Sequence, residues 1–243
     1  MVESLLQTDA ALNAVSDFFI SIKTVIGAMP WLLDGCLITI CTVNIALAVG
    51  FLFGVPFAVL QLYAPRPIRR LIGLYVWFFR GVPILVQLIL FYFGLAYQLG
   101  LSLTPFVASC LVLGLTSTAY QSQIFRGALG SLPEGQLKAA KALGMSTPKA
   151  IRVILLPQAL RLAIPAWSNE FSILLKDSAL VSVLGTFDLM ARTKAIATST
   201  AEYAAFYIAA AVLYFIITFI GNALLRKIAS KVSIPGLSHQ GMA

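Results

Sequence analysis

The chain has 243 residues, of which 60% are hydrophobic and only 11% charged, with a mean hydropathy of +0.93. A soluble domain carries about 25% charged residues, and one of this length cannot hide so much apolar surface, so the solvent this composition implies is lipid. The net charge of +8 would suit a nucleic acid, but its distribution marks one side of a membrane instead.

The N-terminal stretch holds Glu3, Asp9 and Asp17 where a cleaved leader would carry positive charge, so it does not read as a signal peptide. Residues 8–30 read either as an interfacial amphipathic helix or as a loose outer segment. Charge-free runs then set the spans, each needing about 20 residues. Expected spans are 35–62, 71–97, 104–125, a less apolar 157–176, and 203–226. The first contains Gly50-x-x-x-Gly54, a spacing that lets two backbones approach closely in lipid. In the second, Arg80 stands beside Gly81 and Pro83, which should kink or loosen the helix. A cluster of Gly, Ser, Thr and Pro near 100–105 breaks the long apolar run before the third. Thr116, Ser117 and Thr118 in the third read as helix–helix hydrogen-bonding groups. Cys36, Cys41 and Cys110 all fall in apolar runs with no metal or disulfide spacing, and read as small buried residues. The one histidine, His239, lies in the polar tail.

Five spans put the two ends on opposite sides. Most Lys and Arg residues fall in three segments on one side: Arg66, Arg69 and Arg70; then Arg126, Lys138, Lys141, Lys149, Arg152 and Arg161; then Arg226, Lys227 and Lys231. Positive loops face the cytoplasm, so the N-terminus is expected outside and the C-terminus inside.

The segment 131–157 is too charged to enter lipid. Ser131 with Glu134 fits a capping box, starting a helix that runs to Leu143, with Gly144 as its stop. Thr147-Pro148 should restart a helix, with Thr147 as cap, and Pro157 should end or kink it. Two short helices joined at a glycine would lie on the cytoplasmic surface. By composition they are a basic connector on anionic headgroups or a docking knob for a soluble partner.

Lys138-Ala139-Ala140, three residues, Gly144, nine residues and Ile154-Leu155-Leu156-Pro157 resemble the Glu-Ala-Ala loop of binding-protein-dependent ABC importer permeases. The leading Glu of that motif is Lys138 here. Further stretches are similar to the polar amino acid subfamily. They are Phe79-Arg80-Gly81-Val82-Pro83 with Gln87, Ala119-Tyr120, Ile124-Phe125-Arg126-Gly127, Leu143-Gly144-Met145-Ser146, Asn169-Glu170-Phe171 and Leu174-Leu175-Lys176-Asp177-Ser178. Gln123 departs from the acidic residue common before Ile-Phe-Arg. The resemblance covers about residues 30–230.

It implies an all-α integral membrane protein of about five transmembrane helices with the type I importer (MetI-like) permease fold. The expected organisation is a periplasmic or interfacial segment 1–30, a permease domain 31–230 with the cytoplasmic elbow 131–157, and a cytoplasmic tail 231–243. By resemblance the elbow docks on a cytoplasmic ABC ATPase through Lys138, Ala139, Ala140, Gly144 and Met145. The implied partners are that ATPase, a second permease subunit (identical or a paralogue), a periplasmic binding protein and an amino acid. No phosphate-binding loop of the G-x-x-x-x-G-K-[ST] type occurs, so ATP is expected on the partner and no cofactor on this chain.

Charges inside spans are expensive and normally face a partner or a watery path. Arg80, Gln87, Glu170 and Asp177 are therefore the expected substrate-pathway residues. For Arg80 the alternative is a structural pair. For Glu170 it is an ion pair with Arg80 or Arg161, against contact with a cationic amino acid. For Asp177 it is local pairing with Lys176. An ion-gradient-driven secondary transporter is the alternative function, although no internal repeat supports it.

Overall fold

In the computed structural model the backbone is described for residues 2–232 except 97, and the side chains for residues 21–231 except 97 and 229. His239 and the tail beyond 232 lie outside the described residues, as do the side chains of Glu3, Asp9 and Asp17.

Among the described residues every regular element is helical. α1 runs Val2–Tyr63, α2 Arg66–Gly81, α3 Ile84–Ile89 continuing as a π-helical stretch Leu90–Ala96, and α4 Pro105–Gly130. The elbow holds α5 Glu134–Ala142 and α6 Thr147–Ala150; a π turn Ile151–Leu155 leads into α7 Leu156–Asp177 and a 3-10 end Ser178–Leu184. α8 Leu189–Thr200 and α9 Tyr203–Val232 complete the chain.

The packing is that of a protein dissolved in lipid. Thr39, Thr42, Gln87, Ser109, Ser117, Gln121 and Ser122 have no exposed surface, whereas Trp77, Leu71, Phe215, Ile208 and Phe219 are largely exposed. Hydrocarbon welcomes the large side chains and offers no partner to the polar ones, which therefore turn inward and bond to each other. Among the described residues no buried side-chain nitrogen or oxygen lacks a partner.

Three helical stretches are long and apolar enough to cross a membrane: Ser21–Tyr63, Thr147–Leu184 and Tyr203–Ile228. The pair Arg66–Gly81 and Ile84–Ala96 counts as a fourth only if taken together, because it bends by 108°. The kink expected at Gly81-Pro83 is thus a full break, so 71–97 is not one straight span. α4 has 26 residues but is not among the helices apolar enough by composition. It is the inner helix: it packs most extensively on α1, with further contacts to α2 and α7, and its neighbours rather than lipid solvate its Thr, Ser and Gln residues.

The small residues of α1 and α4 explain that close packing. A side chain at Gly54 would sit 3.1 Å from the Ser122 nitrogen, and one at Gly114 would sit 2.9 Å from Val49 Cγ1. The Gly50-x-x-x-Gly54 pattern is therefore a helix contact, as its spacing suggests. α1 crosses residue 30 without a break, although Pro30 lies inside it.

Charge separates along this axis. Ser21 Oγ donates to Glu202 (2.6 Å), Arg192 pairs with Asp34 (3.6 Å) and stacks on Trp31 (4.1 Å), and buried Asp188 caps α8 through Ala191 N–H (2.9 Å). The far end of α1 meets the basic start of α2 and the elbow. Cys36 and Cys110 are buried as expected; Cys41 is exposed.

Candidate transport site and coupling elbow

Pro83 has no N–H, so the Phe79 carbonyl loses its ordinary helical donor. The Gln87 amide replaces it, donating to Phe79 O (2.9 Å) and Val82 O (2.8 Å), while its carbonyl accepts from Thr116 Oγ1 (2.7 Å). Gln87 thus holds the broken helix to α4. Replacing it with leucine leaves the Phe79 and Val82 carbonyls without this donor, while Thr116 keeps its bond to Val112 O (2.9 Å), and is expected to cost about 2 kcal/mol, read as a fall in thermal midpoint in detergent.

This break opens a cavity of about 260 Å³ lined by Arg80, Val82, Gln87, Thr116, Tyr120 and Asp177, among others. Three of the four residues expected on the pathway therefore meet in one space, although they lie on three different helices. The Arg80 guanidinium stands over the Tyr120 ring at 5.1 Å. Tyr120 is a wall that sequence spacing alone did not mark as a site residue, since its contact with Arg80 crosses 40 positions. Neither Arg80 nor Asp177 has an ion-pair partner within 4 Å among the described residues.

Glu170 lies elsewhere. It is 4% exposed, does not line that cavity, and accepts a hydrogen bond from Ser117 Oγ (3.0 Å). The ion pairs considered for it, with Arg80 or Arg161, are not formed. Ser117 in turn accepts from Gln121 Nε2 (3.0 Å), which also donates to Leu47 O (3.0 Å), and Gln121 Oε1 accepts from Trp167 Nε1 (2.8 Å). This chain of bonds ties α1, α4 and α7 together and carries Glu170 within it. Arg161 instead lines an open apolar cleft of about 750 Å³ with Asn44, Phe51, Phe125 and Trp167.

In the elbow, the capping box does not form. Pro133 is the N-cap of α5 with no side-chain bond, and Ser131 Oγ donates back to Ala128 O (2.9 Å), because the last turn of α4 extends to it. α5 does end at Gly144 (φ 79°), where Met145 N–H reaches Ala140 O (3.0 Å) and Gly144 N–H reaches Lys141 O (2.9 Å). This paired closure requires a left-handed residue, which glycine adopts without a Cβ penalty. Ser146, not Thr147, caps α6, and Pro148 falls one position further in. Pro157 does not end the second piece. It sits at the start of α7, where a proline loses no bond it needs, and the π turn carries the helix on into the span.

Lys138 pairs with Glu134 of its own helix at 3.4 Å, both strongly exposed, an interaction worth little in water. Ala139 and Gly144 are exposed, Met145 is half-buried, and Ala140 is buried against the rest of the elbow. At the tip Leu143 is 83% exposed.

Residues 50–234 match the family described as binding-protein-dependent transport system inner membrane component. The chain is 36% identical over 206 residues to the arginine transport system permease protein ArtQ of Bacillus subtilis (strain 168), covering 83% of this chain and 94% of that one. It is 33% identical over 204 residues to a putative glutamine transport system permease protein of Rickettsia bellii, covering 84% and 94%. Among solved structures it superposes on one described as an amino acid ABC transporter with histidines, with a TM-score of 0.78 and 33% identity over 85% of this chain and 96% of that one. The MetNI methionine ABC transporter shares the fold, with a TM-score of 0.76 at 21% identity over 86% and 99%. These matches are to ABC transporter permeases, which sets the ion-gradient alternative aside. The chain belongs to the binding-protein-dependent transport system inner membrane component family and is a membrane-spanning permease subunit.

Proposed function

We propose that this chain forms part of the path of an ATP-driven importer for polar, preferentially basic, amino acids in a bacterial inner membrane. The observation that carries the reading is the cavity beside the broken helix, where an unpaired guanidinium and an unpaired carboxylate face the same space. A free amino acid presents a carboxylate and an ammonium, so Arg80 and Asp177 supply the two complementary charges. The volume, just below the range of about 300–1,000 Å³ for ligand pockets, suits one small metabolite. Gln87 shapes the cavity and spends its hydrogen bonds on the backbone and on Thr116. Relatives named for arginine and glutamine support the substrate class.

In this reading the elbow docks on a separate cytoplasmic ATPase, with Leu143 and the small faces of Ala139 and Gly144 as contact surface and Met145 at the turn. Lys138 then offers a positive charge where the related motif has a negative one. A second permease subunit completes the path, and a periplasmic binding protein delivers the amino acid. The N-terminus is periplasmic and the C-terminus cytoplasmic, as the excess of Arg and Lys around the elbow favours.

The test is reconstitution of the chain with its ATPase and binding protein in liposomes. Arginine is expected to stimulate ATP hydrolysis and to accumulate only with ATP; accumulation on a proton or sodium gradient alone would overturn the reading. Glu170→Gln is expected to keep the Ser117 bond and to reduce arginine uptake about tenfold relative to glutamine uptake, the loss of about 1.4 kcal/mol of long-range attraction for a cationic side chain. Equal effects on both substrates would make Glu170 a structural group only.

A further inference from the structure

A groove of about 780 Å³ runs where the end of α1, the start of α2 and the elbow meet. Val59, Leu60, Ile68 and Leu156 give it apolar walls, and Tyr63 and Arg152 are polar groups on its lining. Arg66, Arg69 and Arg70 stand exposed on the first turns of α2, the helix that contributes Ile68, and Lys149 is exposed on α6 beside the lining residue Pro148. None of these five cations has a carboxylate within ion-pair distance among the described residues. The described acidic residue at this end, Glu134, already pairs with Lys138.

Each feature alone has a plain account: cations at a surface are hydrated, and apolar walls near lipid touch acyl chains. Their adjacency is what selects a ligand. A soluble anion would satisfy the arginines and leave the apolar walls wet. A zwitterionic lipid would fill the walls and bring no net charge to the cations. A molecule with a net negative phosphate at the head of a hydrocarbon chain satisfies both, and the groove lies where a span gives way to the polar elbow.

We propose that this groove binds an anionic glycerophospholipid, its phosphate held by Arg152 and attracted by the positive charge of the nearby arginines that open α2, its acyl chain lying along Val59, Leu60 and Leu156. The proposal rests on the membrane-spanning reading and needs no assumption about the transported solute. Because the groove joins α1 to α6, a lipid seated there touches both the membrane domain and the elbow.

The full chain is placed in phosphatidylcholine nanodiscs with a trace of phosphatidylglycerol or of phosphatidylcholine carrying the same photoreactive acyl chain, and labelled peptides are mapped. The phosphatidylglycerol probe is expected to label 55–65 and 147–156 at least about fivefold more than the phosphatidylcholine probe, the ratio that a single surface cation supplies at about 1 kcal/mol. The double variant R69Q/R152Q is expected to lose that preference, and the comparison of the two probes on the unaltered chain stands even if the variant fails to fold. Equal labelling by both probes reduces the groove to an acyl-chain contact and overturns the proposal. Competition by millimolar inorganic phosphate makes it a free-anion site and overturns it too. No labelling by either probe means that another chain covers the groove, and the lipid site is then equally ruled out. Labelling does not require transport, so these outcomes are independent of whether the importer reading holds.

Discussion

Valine in place of Gly50 is expected to lower the stability of the membrane domain by about 3 kcal/mol, because it overfills a dry contact and breaks hydrogen bonds within it. An added Cβ there collides with Gln121 Nε2 and lies 2.8 Å from Ser117 Oγ. Gln121 has no exposed surface and bonds at once to Leu47 O, Ser117 and Trp167, while Ser117 holds Glu170. The side chain cannot swing aside into lipid without leaving those partners unpaired, so either the network breaks or α1 moves off α4. Trp167 reports the outcome directly: its fluorescence should shift as the indole loses Gln121, and the thermal midpoint in detergent should fall. Gly73→Ala is the control, since nothing lies within 4 Å of a Cβ there, and it should be neutral or gain up to about 1 kcal/mol from helix propensity. Equal behaviour of the two variants would mean that α1 and α4 do not pack as described.

The second large effect concerns transport. Arg80→Gln and Asp177→Asn are each expected to reduce amino acid uptake by about 30-fold, the loss of about 2 kcal/mol when a charge-assisted contact to the solute disappears. Asp177→Asn keeps the size of the side chain, whereas Arg80→Gln removes two heavy atoms along with the charge. If the two groups hold opposite ends of one solute, Arg80→Gln should impair substrates lacking a free carboxylate much less than it impairs the parent amino acid. Uptake measured in proteoliposomes with arginine and with its methyl ester separates the cases. Unchanged uptake in Arg80→Gln would leave the guanidinium with its place over Tyr120 as its sole role.

Other features were visible locally and came out differently in three dimensions. Ser131 and Glu134 have the spacing of a capping box, yet the preceding helix keeps Ser131 for its own last turn. Pro157 has the look of a terminator, yet a π turn before it supplies a start rather than a stop. Local patterns state what a segment would do alone; the neighbouring helix decides which of two adequate bonds is made. Gly144 was legible because its reason is local, a left-handed closure that few other residues adopt. Gln87 was legible as a polar residue in an apolar helix, but its use was not, since the carbonyl it repairs is orphaned by a proline four residues before it.

Composition, the spacing of apolar runs and the bias of Lys and Arg by themselves determined that this chain lives in a bilayer and roughly where its helices run. Those properties depend on transfer energies that accumulate along the chain residue by residue, and a linear string carries them fully. Only the tertiary structure decided that α4 is the buried inner helix, that the second span breaks by 108°, that Arg80 and Asp177 share one cavity and that Glu170 belongs to a different network. Each of these is a choice of partner between segments far apart in sequence, made because lipid offers polar groups no hydrogen bonds and the protein must supply them all itself.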